Sequence, residues 1–100
     1  MTVDELRTML SAFDEEPGSR RDKFQTIRGK PSDDPTLCAF MTLARLSPGS
    51  DLIGGAAHDV VYLGAGPEKL AANATAEDVR LLSACGVRWN DYADCLSMFA

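Results

Sequence analysis

Thr75-Ala76-Glu77-Asp78-Val79-Arg80-Leu81-Leu82-Ser83-Ala84-Cys85-Gly86-Val87-Arg88-Trp89-Asn90-Asp91-Tyr92-Ala93-Asp94-Cys95-Leu96-Ser97-Met98-Phe99 decides the fold, because two signals meet inside it. Thr75 followed three residues later by Asp78 is a capping box, in which each side chain accepts from the other residue's backbone amide. A helix therefore opens here and runs through Cys85. Gly86 suits the left-handed position after a helix, with Val87 placed to fold back on it. From Val87 to Phe99 the pattern changes to two short arms about the turn-prone Asn90-Asp91, and Trp89, Tyr92, Leu96, Met98 and Phe99 supply apolar surface. This is the pattern of a hairpin packed on helices.

Upstream, Val60-Val61-Tyr62-Leu63 has the β-branched and aromatic content of a short buried strand, closed by Gly64 and Gly66. Asp51-Leu52-Ile53-Gly54-Gly55 reads as flexible or as a tight bend, and Pro67–Ala72 as one or two helical turns. Thr2 and Glu5 form another capping box, and Val3, Leu6, Met9, Leu10 and Phe13 fall on one helical face. That helix occupies 1–16 and ends at Pro17-Gly18. Asp34-Pro35 opens a further helix, with Asp at the cap and Pro at the first helical position. Leu37, Cys38, Phe40, Met41, Leu43, Ala44 and Leu46 make it apolar almost all round, as expected of a central core helix, and Ser47-Pro48-Gly49 ends it.

Residues 17–35 are rich in Pro, Gly, Ser and charge, with Phe24 and Ile27 as the large apolar anchors, and read as a long exposed connection with a short helical turn around Arg21–Arg28. The expectation is one α+β domain over 1–100. Two N-terminal helices pack with a small antiparallel sheet built from 59–63 and the 87–99 hairpin. The helix at 76–85 covers one face of that sheet, and 36–100 forms the core.

One hundred residues give room for a single core. Fifteen acidic against ten basic residues leave a net charge of −5, which disfavours nonspecific attraction to nucleic acid or anionic lipid. Cys38, Cys85 and Cys95 are odd in number and lack a C-x-x-C pair, so reduced cytosolic thiols are expected rather than disulfides or structural zinc. Neither a leader pattern nor a run of roughly 20 apolar residues is present, and a cytoplasmic protein is expected.

Cysteine catalysis would draw a nucleophile from Cys38, Cys85 or Cys95 and a base from His58, the single histidine, which stands beside Asp59. No nucleophile motif accompanies them, and the cysteines on apolar helix faces read more simply as small hydrophobes. One histidine and scattered thiols are too few for a metal site, Asp33-Asp34 lacks the calcium-loop pattern, and Gly64-Ala65-Gly66-Pro67 lacks the rest of a phosphate loop. Neither catalysis nor a cofactor is expected.

What remains is charge. Residues 20–30 are basic, flanked by Asp14-Glu15-Glu16 and Asp33-Asp34. Acids at the C-terminal end of a helix oppose its dipole, so Asp14–Glu16 call for an explanation outside helix stability. Asp14, Glu15, Glu16, Arg20, Arg21, Asp33 and Asp34 are accordingly the expected protein-binding residues: Asp14, Glu15 and Glu16 present carboxylates to a basic groove that otherwise holds nucleic acid, and the others, in the 17–35 connection, add contacts. A competing expectation is an adaptor that dimerises through Trp89, Tyr92 and Phe99.

From His58-Asp59-Val60-Val61-Tyr62 through Glu77-Asp78 and Cys85-Gly86-Val87-Arg88-Trp89 to Asp94-Cys95-Leu96-Ser97-Met98-Phe99-Ala100, the chain resembles the end of small proteins encoded by phages and mobile elements. Its length, acidity and reduced thiols are similar to those of anti-CRISPR proteins. The resemblance implies a non-catalytic inhibitor in a bacterial host, which binds the Cas proteins of a type I, Cascade-like or Csy-like, surveillance complex and blocks target DNA without binding DNA itself; a monomer is favoured over a homodimer.

Overall fold

The computed structural model describes residues 1–57 and 59–99. The elements are α1 (Val3–Glu15), α2 (Arg20–Thr26), α3 (Pro35–Leu46), β1 (Ile53–Ala57), β2 (Val60–Leu63), α4 (Pro67–Asn73), α5 (Ala76–Ala84), β3 (Arg88–Asn90) and β4 (Cys95–Phe99). The strands form an antiparallel sheet in the order β1-β2-β4-β3. The fold is α+β. No helix of the described residues is long and apolar enough to cross a membrane.

The caps act as their side chains dictate. Thr2 accepts from the Glu5 amide while Glu5 accepts from Thr2, and Thr75 and Asp78 repeat the exchange. Asp34 accepts from Leu37 with Pro35 opening α3. At the end of α5 the Gly86 amide donates to Ser83 and the Val87 amide to Leu82, with Gly86 at φ +96°. This double closure satisfies two terminal carbonyls and turns Val87 into the core.

Ser19 caps α2 by accepting from Asp22, and Phe24 buries itself in the core. Part of the expected exposed connection is thus a docked helix. Two cations secure it: Lys23 Nζ donates to the carbonyls of Phe13 and Asp14 at 3.1 and 3.3 Å, and Lys30 Nζ donates to those of Phe24 and Ile27, both at 2.9 Å. Each ammonium meets carbonyls at or just beyond a helix C-terminus, where the dipole favours positive charge.

Three finer expectations are corrected. Residues 53–57 are a strand rather than a bend, because pairing with β2 overrides the weak strand propensity of Gly54-Gly55-Ala56-Ala57. At its end Gly64 is required, since a Cβ there would run into the backbone carbonyl of Asp51. The helix lying closest to the sheet is α1, against β3, whereas α5 packs among α1, α2 and α3. Finally, α3 is peripheral rather than central. Its neighbours α4 and α5 cover one side, so Cys38, Ala39, Leu43 and Leu46 are buried while Leu37 and Met41 remain 52% and 44% exposed.

Strand register assigns the sheet faces, since paired residues share a side. Leu63, Leu96 and Met98 face the core, with Val61 and Trp89 packed against it. The opposite face carries Gly55, Tyr62, Ser97 and Arg88 across the sheet, and beside them Ala57, Val60 and Phe99.

Candidate functional site

The seven residues expected to bind a partner do not share one surface. Asp14, Glu15 and Glu16 lie at the end of α1, Arg20 and Arg21 open α2, and Asp33 and Asp34 precede α3. Asp34 is occupied as the α3 cap. Asp14 stands 4.0 Å from Arg20, and Glu16 accepts from Arg80 at 2.9 Å. The Arg80 guanidinium also lies 4.3 Å from the centre of the Phe13 ring, which fixes the pair against α1.

Glu15 is different. It is exposed and has no ion-pair partner among the described residues. It borders a groove of about 510 Å³ between α1 and β3, lined also by Asp4, Arg7, Thr8, Ser11, Ala12, Trp89 and Asp91. Arg7 sits among these acids, 3.0 Å from Asp91 and 3.7 Å from Asp4, with its guanidinium 5.0 Å from the Trp89 ring centre. Three carboxylates against one guanidinium leave the groove negative. Asp4 and Glu15 share α1, whereas Asp91 joins them only on folding, when the last hairpin meets the first helix. The spacing of Asp4, Arg7, Thr8, Ser11 and Glu15 along α1 is a local signal for one stripe, but nothing in the neighbouring sequence pairs Asp91 with it.

Arg20, Arg21 and Asp33 come together elsewhere. With Phe24, Gln25, Lys30, Pro35, Ala84 and Cys85 they line a cleft of about 660 Å³ between α2 and the end of α5. The basic run at 20–30 is therefore divided in its roles, since Lys23 and Lys30 serve helix ends while Arg20 and Arg21 stand at the cleft.

The thiols sit where nucleophilic chemistry is disfavoured. Cys38 and Cys85 are buried, and burial first, then the neighbouring Cys38, pushes the Cys85 thiol far above its ordinary range. Burial and then Asp94 push the Cys95 thiol up as well. His58, the base that cysteine catalysis would need, lies outside the described residues. Among those that are described, no group of His, Cys, Asp and Glu is arranged to hold a metal ion. In the hairpin, Tyr92 is 95% and Phe99 54% exposed, whereas Trp89 packs against the core beneath Arg7 and leaves the expected dimer surface.

The chain matches no protein-family model, no curated protein and no solved structure.

Proposed function

We propose that the chain is a non-catalytic binding protein that docks the acidic groove between α1 and β3 onto a basic surface of a partner macromolecule. The observation that carries this reading is Glu15. A carboxylate in the last turn of a helix opposes the dipole and lowers stability unless something compensates it. Asp14 and Glu16 have arginine partners and Lys23 covers the nearby carbonyls, but Glu15 has only the groove. Together with Asp4 and Asp91 it offers carboxylates to incoming lysine or arginine side chains, and the net charge of −5 draws such a partner in.

The partner that fits the resemblance is the basic DNA-binding groove of a bacterial CRISPR surveillance complex, in which carboxylates stand in for phosphates. The test is the affinity of the purified chain for a purified type I complex, with and without Glu15→Lys. Weakening of about tenfold or more is expected, since a reversed charge loses an attraction and gains a repulsion. Equal affinity for the two proteins would remove the groove from the interface.

A second reading has its own observation. Phe99, on the sheet face turned away from the core, is 54% exposed, and Tyr92 projects from the hairpin turn at 95%. These would serve a homodimer formed through the sheet. A monomer by light scattering at high concentration would dispose of it.

A further inference from the structure

The cleft between α2 and the end of α5 has the composition of a small-ligand site, and of the opposite sign to the α1–β3 groove. Its floor is apolar, formed by Phe24, Ala84 and Cys85, and its rim carries Arg20 and Arg21, while the Lys30 ammonium beside it is held by the Phe24 and Ile27 carbonyls 4.6 Å from the centre of the Phe24 ring. A volume of about 660 Å³ falls within the range of roughly 300–1,000 Å³ typical of small-molecule sites.

The rim arginines differ in how they are held, and both retain free donors. The Arg20 side chain lies over the turn at Gly86, where a Cβ would come within 3.4 Å of its Nη1 and 3.5 Å of its Cδ. The glycine thus serves the left-handed turn and also admits the arginine. Its 4.0 Å separation from Asp14 is too long for a hydrogen bond. Arg21 is exposed and forms no ion pair among the described residues. A guanidinium fork beside an apolar floor matches a phosphate attached to a planar body, since the fork binds phosphate oxygens in pairs. Asp33 is the one acid of the lining. It repels a bare anion but accepts from hydroxyl groups, which favours a sugar phosphate over inorganic phosphate.

We propose that this cleft binds a ribonucleoside monophosphate, with Arg20 and Arg21 on the phosphate, Asp33 on the ribose hydroxyls and the base over the floor. The site shares no residue with the α1–β3 groove, so its failure would leave the proposed function standing.

The test is amide NMR of the whole chain titrated with adenosine monophosphate, with adenosine and inorganic phosphate as separate probes. Shifts are expected at Phe24, Gln25, Ala84 and Cys85 with the monophosphate, and much weaker ones with either half alone. Arg21→Gln, at an exposed side chain without a structural partner, should weaken binding about tenfold. Lys69→Gln, on exposed α4 surface away from the cleft, should leave it unchanged. The proposal is overturned if the monophosphate leaves these amides unmoved, if inorganic phosphate binds as tightly, or if the two variants behave alike.

Discussion

At the end of α1, Glu15 is an exposed carboxylate that opposes the helix dipole without an ion-pair partner among the described residues. Glu15→Lys replaces an uncompensated carboxylate with a cation at the negative end of the helix, so it should raise stability by about 0.3–1 kcal/mol while weakening partner binding. Urea unfolding read beside an affinity measurement checks both signs, and a loss of both would make Glu15 structural. Asp78 behaves in the reverse manner. Burial pushes its carboxyl up, but the Thr75 amide and the Arg45 guanidinium at 2.6 Å outweigh this and hold it below the usual 3.8. The folded chain therefore keeps this carboxylate ionised to lower pH than the unfolded chain does. Its contribution is present above pH 3.8 and is lost as pH falls through the lower folded value. Asp78→Ala should cost about 1–2 kcal/mol at neutral pH and less in acid, as followed by urea midpoints across pH. The buried thiols give a further check. Alkylation resolved by mass should reach Cys95 slowly in the folded protein, and Cys38 and Cys85 only on unfolding.

At the scale of the elements, what the sequence made legible was what neighbouring residues determine. The Thr2–Glu5 and Thr75–Asp78 boxes, the Asp34-Pro35 start and the Gly86 stop need only a few adjacent positions, and all four close as expected. Gly86→Ala should cost about 1–2 kcal/mol, because φ +96° penalises a Cβ that must also press on Arg20. Thermal unfolding measures this, and an unchanged midpoint would contradict the assigned closure. Strand β1 was not legible, since Gly54, Gly55, Ala56 and Ala57 become a strand through their partner β2 rather than their own propensity. Nor was the exposure of Leu37 and Met41, because an all-round apolar helix does not declare how many neighbours it will find. The candidate site was legible in part. The sequence singled out Asp14–Glu16 and the basic run, yet folding sends Asp14 and Glu16 to arginines and Lys23 and Lys30 to carbonyls. It also brings Asp91, from the last hairpin, to the stripe of α1 that holds Asp4, Arg7 and Glu15.

For the molecule as a whole, the two recesses carry opposite charge, and the acidic one agrees with the net charge. Association through exposed carboxylates should weaken steadily with added salt, because such charges are screened beyond a Debye length of about 10 Å at 0.1 M. A salt-independent affinity would shift the interface to the apolar residues Tyr92 and Phe99. The most direct measurement is capture of labelled target DNA by a purified type I surveillance complex, followed by fluorescence anisotropy while the chain is added. The chain should abolish capture, Glu15→Lys should restore it, and Lys69→Gln, on exposed α4 surface away from both recesses, should inhibit as the unmodified chain does. Undiminished DNA capture in the presence of the chain, or equal inhibition by the Glu15→Lys protein, would contradict docking through the α1–β3 groove.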